Sequence, residues 1–128
     1  MGAVPSLDYV ILYVADLPRA LAFYRTVLGA EGEVRSATYA EIRLSNAKLG
    51  FYLRDALPDL IGRPGGPGPD AEVLFVVDDV DAEADRLRTE GIPILSGPVD
   101  RPWGHRTVHV EDPDGHVIEL AQEIVRSS

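Results

Sequence analysis

The chain has no cysteine in its 128 residues, which excludes disulfide staples, thiolate metal ligands and a cysteine nucleophile. Lysine is almost missing, since Lys48 is the only one among twelve basic residues. Positive charge is scarce altogether: twelve Lys and Arg face twenty-one Asp and Glu, a formal net charge of −9. A surface of that sign repels phosphate backbones and anionic headgroups, so nucleic acid and membranes are poor partners. It serves solubility, and it favours a cationic ligand. Long hydrophobic runs are absent as well; residues 9–15 form one of the longest, far below the ~20 residues a spanning helix needs. The first residues show no charged stretch followed by an apolar one, so a cytoplasmic location is expected. What remains is an ordinary globular composition, 45% hydrophobic and 26% charged, in a length that suits one domain.

Two stretches of the chain share one grammar. In the first, residues 7–14 are an apolar, β-branched and aromatic run, Asp16 can cap a helix, and Pro18 sits where a missing N–H costs little. Leu17, Ala20, Leu21, Tyr24 and Leu28 then recur at helical spacing until Gly29. In the second, residues 73–77 read as a strand and Asp79 as the cap. Val80, Ala84 and Leu87 form the stripe, and Gly91 ends it. Val14-Ala15-Asp16-Leu17 overlies Val77-Asp78-Asp79-Val80 at an offset of 63 residues, and Arg25-Thr26 then falls on Arg88-Thr89. Strand-like segments follow each helix, at 33–37, 39–45 and 48–54, then at 93–96, 106–111 and 116–122. Asp112-Pro113-Asp114-Gly115 joins the last two with turn chemistry, proline setting φ and glycine accepting a left-handed conformation. The expected architecture is α+β: two βαβββ modules, about 5–54 and 71–124, joined by a Gly/Pro-rich linker at about 55–70.

This order, with Val14-Ala15-Asp16-Leu17 leading into Ala22-Phe23-Tyr24 and Leu28-Gly29, resembles the vicinal-oxygen-chelate superfamily of glyoxalase I and bleomycin-resistance proteins. So does the run from Glu111 through Asp112-Pro113-Asp114-Gly115-His116 to Glu119-Leu120. The resemblance covers almost the whole chain and implies one curved eight-stranded mixed sheet, commonly in a homodimer. It also implies a divalent metal held by His, Glu or Gln from strands of both modules, chelating two substrate oxygens. Matched by position, the family's first ligand falls on Tyr9, the second on Arg43, the third on Glu72 and the fourth on Glu119. Two carboxylates are kept and two ligands are replaced, so a divalent ion, if held, would rest on Glu72 and Glu119. A guanidinium beside a divalent ion is unfavourable, and Arg43 is expected instead to pair with Glu72 or Glu119.

Strand alternation puts Val10, Leu12 and Val14 towards the helix and Tyr9, Ile11 and Tyr13 on the other face. The expected ligand-binding set is Tyr9, Tyr13, Arg43, Tyr52, Glu72, Trp103, His109 and Glu119. His109 reads either as a lining group or as a surface or core-edge histidine. Trp103 reads either as a stacking platform or as a plug at the rim of the sheet. Asp112 and Asp114 read as turn residues. No Ser-His-Asp/Glu arrangement is recognisable, so the leading expectation is a metal-free protein that sequesters a planar, partly cationic small molecule, as antibiotic-binding resistance proteins do. The alternative is a metal-dependent lyase, dioxygenase or isomerase of the same superfamily.

Overall fold

The computed structural model describes residue 4 and residues 7–69 and 72–124. It divides into two compact units, Met1–Pro67 and Gly68–Ser128. In the first, β1 (Tyr9–Val14), α1 (Leu17–Leu28), β2 (Gly32–Val34), β3 (Tyr39–Arg43) and β4 (Lys48–Leu53) are followed by a 3-10 turn at Arg54–Ala56 and a short α2 (Leu57–Ile61). In the second come β5 (Glu72–Val76), α3 (Val80–Thr89), β6 (Ser96–Asp100), β7 (His105–Glu111) and β8 (Val117–Glu123). The fold is α+β, with eight strands in two four-stranded mixed sheets ordered β1-β4-β3-β2 and β5-β8-β7-β6. In each, the strand before the long helix pairs in parallel with the last strand, and the other pairings are antiparallel.

Both long helices begin where an aspartate satisfies a free N–H. Asp16 accepts from the Arg19 amide at 2.9 Å, and Asp79 accepts from the Ala82 amide at 3.1 Å. Each leaves its helix through a left-handed glycine, Gly29 at φ 67° and Gly91 at φ 80°. The helices cover one face of their own sheets. In the first unit Leu12, Val14, Ala40, Ile42, Leu49 and Phe51 are buried with the α1 stripe, and Tyr24 meets Phe51 at 4.9 Å between ring centroids. In the second, Val108, Val110, Ile118 and Leu120 are buried with Val80, Ala84 and Leu87. The Gln122 side chain accepts from the Val80 amide at 2.9 Å, which identifies the even-numbered side of β8 as the helix side.

Four departures from the sequence expectation have a local reason. The strand expected at 33–37 stops at Val34, because the amides of Arg35 and Ser36 both turn back to the Tyr39 carbonyl. The one expected at 39–45 stops at Arg43, where the Leu44 amide closes a turn onto the Ala47 carbonyl. The strand expected at 93–96 lies instead at Ser96–Asp100. Pro93 has no amide to give a ladder, and the register slips between Ser96 and Val99. At that slip Gly97 runs at φ 90° so close to the Thr107 carbonyl that a Cβ would collide with it. The fourth difference is in the expected linker at 55–70. Its first part is helical, with Pro58 in the first turn of α2 and Leu57 fully buried, and its end at Asp70 lies outside the described residues.

The turn between β7 and β8 is anchored from within. The Asp112 carboxylate, its side chain fully buried, accepts the amides of Asp114 at 2.9 Å and His116 at 2.8 Å, and the His116 ring N–H at Nδ1 at 2.8 Å. Asp112→Ala leaves two buried donors and one part-buried donor without their acceptor, and we expect it to lower stability by about 3 kcal/mol, read as a shift of the urea midpoint at unchanged slope. Asp114→Ala, which leaves that carboxylate in place, should stay within about 0.5 kcal/mol of wild type.

Candidate functional site

In the second unit, strand alternation places Glu72, His109 and Glu119 on the face opposite α3. Glu119 pairs in register with Leu74 of β5 on one side and His109 of β7 on the other, and Glu72 lies two residues before Leu74 on the same face. The three side chains converge. His109 Nε2 lies 2.9 Å from Glu119 Oε1 and 3.6 Å from Glu72 Oε2, and one potential ligand atom from each residue lies within 4.8 Å of the others. Burial is graded across the cluster, with side-chain exposures of 7% for Glu119, 18% for His109 and 52% for Glu72. A buried carboxylate has to be paired. Here its partner is the His109 imidazole, so two carboxylates share a single ring within a few ångströms.

Two carboxylates and one imidazole form a donor set that suits hard or borderline divalent ions. Donors at ~2.1 Å from an ion are at most ~4.2 Å apart, so a set held within 4.8 Å needs at most a slight closing, and Glu72 is exposed enough to move. The residues therefore fit a divalent ion in donor type and in spacing. His109 Nδ1 is buried with no partner among the described residues, so the ring is oriented by its carboxylates alone, without the outer partner that ligating histidines usually have.

The first unit shows what the same position becomes with other residues. Ile11 of β1 pairs with Gly50 of β4, and Gly50 with Glu41 of β3, just as Leu74, Glu119 and His109 line up in the second unit. By strand position Gly50 thus corresponds to Glu119, and Glu41 to His109. The space a side chain at Gly50 would need is filled by the Tyr39 ring; a Cβ there would lie 2.6 Å from the phenolic oxygen. That hydroxyl hydrogen-bonds Glu41, which is only 7% exposed and also takes Arg35 Nη2 at 3.4 Å.

The remaining expected residues spread over both units. Tyr9, Tyr13, Tyr52 and Arg43 share the first unit's face opposite α1, with Lys48 Nζ 4.6 Å from the Tyr9 ring centroid and the Arg54 guanidinium 5.9 Å from that of Tyr13. Arg43 is exposed and makes no ion pair within the first unit, and in the second unit His109 stands beside both carboxylates. Trp103 stands on the turn before β7 and is 66% exposed, so it plugs no core. Sequence reasoning missed two groups. Glu41 and Tyr39 alternate on one strand face and could have been noticed. The Asp112–His116 pair was divided between turn and strand.

Comparison with known proteins places this geometry in context. The model of the Glyoxalase/Bleomycin resistance protein/Dioxygenase superfamily matches residues 6–120. A lactoylglutathione lyase of Salmonella typhimurium is 32% identical over 127 residues, covering 91% of each chain. The metallothiol transferase FosB of Lysinibacillus sphaericus is 25% identical over 119 residues, covering 91% of this chain and 82% of that protein. Among solved structures, a glyoxalase/bleomycin resistance protein/dioxygenase from Nocardioides superposes with a TM-score of 0.81 at 24% identity, covering 100% of this chain and 89% of that one. At that identity the likeness speaks for the fold alone.

Burial and the Glu41 hydrogen bond push the Tyr39 phenol up to about 12, from an ordinary value of 10.0. The folded state therefore holds this proton after an unfolded chain has lost it. The stabilisation is complete below pH 10 and is lost as pH rises through about 12. A phenolate absorbance titration should show a tyrosine titrating near 12 that disappears in Tyr39→Phe, and that variant should lose less stability than wild type over the same alkaline window.

Proposed function

This chain belongs to the Glyoxalase/Bleomycin resistance protein/Dioxygenase superfamily, and within it we propose that Glu72, His109 and Glu119 hold a divalent cation that receives an oxygen-bearing small molecule. The observation that carries the reading is the convergence of three donors within 4.8 Å, one of them a nearly buried carboxylate. The expectation of a metal-free site rested on a count of two donors, and His109 supplies the third. The chemistry such an ion supplies is polarisation of the substrate oxygens it binds. Glu119, fixed and buried, sets the position of the site, and His109 is held against it. Glu72 is half exposed and is the member able to take up or deliver a proton at its carboxylate oxygens. The activities of the lyase and transferase relatives are not carried over, because the resemblance matches the superfamily's usual histidine and glutamate to Tyr9 and Arg43.

Titration with manganese, zinc or nickel should show one ion per chain. At a hundredfold excess over the dissociation constant it should stabilise the fold by ~2.7 kcal/mol, a rise of several degrees in Tm. Glu119→Gln and His109→Gln should each weaken that binding by an order of magnitude or more. Unchanged melting in the presence of all three metals would sink the reading.

A second reading is favoured by the hydrogen bonds His109 already makes: the cluster is complete without an ion and offers its residual negative charge to an organic cation. In that case the protein sequesters a planar cationic compound unchanged. Proflavine should then bind to wild type and not to Glu119→Gln, with metals leaving the melting curve unmoved.

A cytoplasmic homodimer belongs to either reading. Each sheet has two edge strands, β1 and β2 or β5 and β6, and unpaired edges call for covering. Light scattering should give twice the chain mass, 13.9 kDa, at micromolar concentration, and a stable monomer would overturn this part.

A further inference from the structure

On the first unit, register sets two cations directly opposite one another. Arg43, the last residue of β3, pairs with Lys48, the first of β4, on one face of the hairpin. Like charges facing each other across an antiparallel pair are destabilising. Arg25, Arg35, Arg86, Arg88 and Arg106 each have a carboxylate partner. Arg43 and Lys48 have none among the described residues, like Arg19, Arg54, Arg63 and Arg101, but only these two face each other in one register pair. The Lys48 ammonium is steadied by the Tyr9 ring instead, 4.6 Å from its centroid, which leaves its charge uncancelled. Between and beyond the two cations lies a depression of about 390 Å³, closed by the Leu44–Ala47 turn and lined by Ser45 and Asn46 at the turn's tip.

We propose that this depression is an oxyanion site, and that its ligand is a singly charged carboxylate group of a small molecule. The Arg43 guanidinium offers a planar fork that matches the two oxygens of a carboxylate, and Lys48 adds a point charge on the neighbouring strand. Asp8 also lines the depression. Its carboxylate and the overall acidity of the chain select against a dianion such as phosphate, and more strongly against a polyanion. The site stands independently of the cluster on β5, β7 and β8, which has the opposite sign and lies in the other unit.

The test is an amide NMR titration of the full chain at constant ionic strength, with sodium acetate, inorganic phosphate and tetramethylammonium chloride as probes. Acetate should move the amides of residues 43–48 in a saturable way, and tetramethylammonium should leave them still. Arg43→Gln and Lys48→Gln should each weaken acetate binding about tenfold, and the double variant should abolish it. Both positions lie at the surface end of a hairpin, and an unchanged amide spectrum elsewhere establishes that the variants are folded. Three results would overturn the proposal: no saturable response at these amides, a response unaltered by both substitutions, or tighter binding of phosphate than of acetate. Because the readout is confined to residues 43–48, it does not depend on what the Glu72–His109–Glu119 cluster holds.

Discussion

Side chains alternate along a strand, and each of these sheets has a long helix on only one of its faces. Every position in β1, β3, β4, β5, β7 and β8 is thereby assigned to the helix face or to its opposite. Leu, Ile, Val and Phe collect under α1 and α3, and the residues that fall between them are forced together on the other side. A slip of one residue in β8 would exchange Glu119 with Ile118 or Leu120, burying a carboxylate under a helix and dismantling the cluster at once. The same constraint brings Arg43 against Lys48 and Tyr39 over Gly50. Anchors outside the ladders hold the register. The Gln122 side chain ties β8 to the start of α3, and the Asp112 carboxylate ties β8 to β7 through the turn.

Two copies of one supersecondary unit place different chemistry at the same point. Where the second unit carries Glu119 beside His109, the first carries Gly50 beside Glu41, with a tyrosine ring laid into the space. The first arrangement is closed upon itself, because phenol, carboxylate and guanidinium satisfy one another. The second keeps two carboxylates on a single imidazole, with negative charge to spare. The same strand order thus leaves one sheet with a settled polar contact and the other with an unsettled one, and the proposed function rests on the unsettled one.

Much of this was legible in the amino-acid order, and the parts that were not have physical reasons. Helix caps, glycine stops and the Asp112–Gly115 turn are local, and each was found within a residue or two. Faces were legible wherever apolar residues alternate, as in β1. Meetings between distant residues were not. Glu72 and His109 are 37 positions apart, and no spacing rule joins them. Arg43 was matched to Glu72 and Glu119 by its charge alone, whereas the group that stands beside both glutamates is His109, a neighbour on their own sheet. The displaced β6 has another cause. The apolar residues Ile92, Ile94 and Leu95 imitate a strand, while the true one contains Gly97 and Pro98, residues that propensity assigns to turns.

Parallel pairing of the first and last strands has a consequence for the order in which the protein can assemble. β1 meets β4, and β5 meets β8, only after a loop enclosing the unit's helix and middle strands has closed. Such long-range closure is the slow, entropically costly step of folding. During synthesis the first sheet can be completed once residue 53 has cleared the ribosome, while the second must wait for residue 123. Glu72 opens the second sheet and Glu119 lies in its last strand, so on a growing chain the acidic cluster comes into being only when that sheet closes.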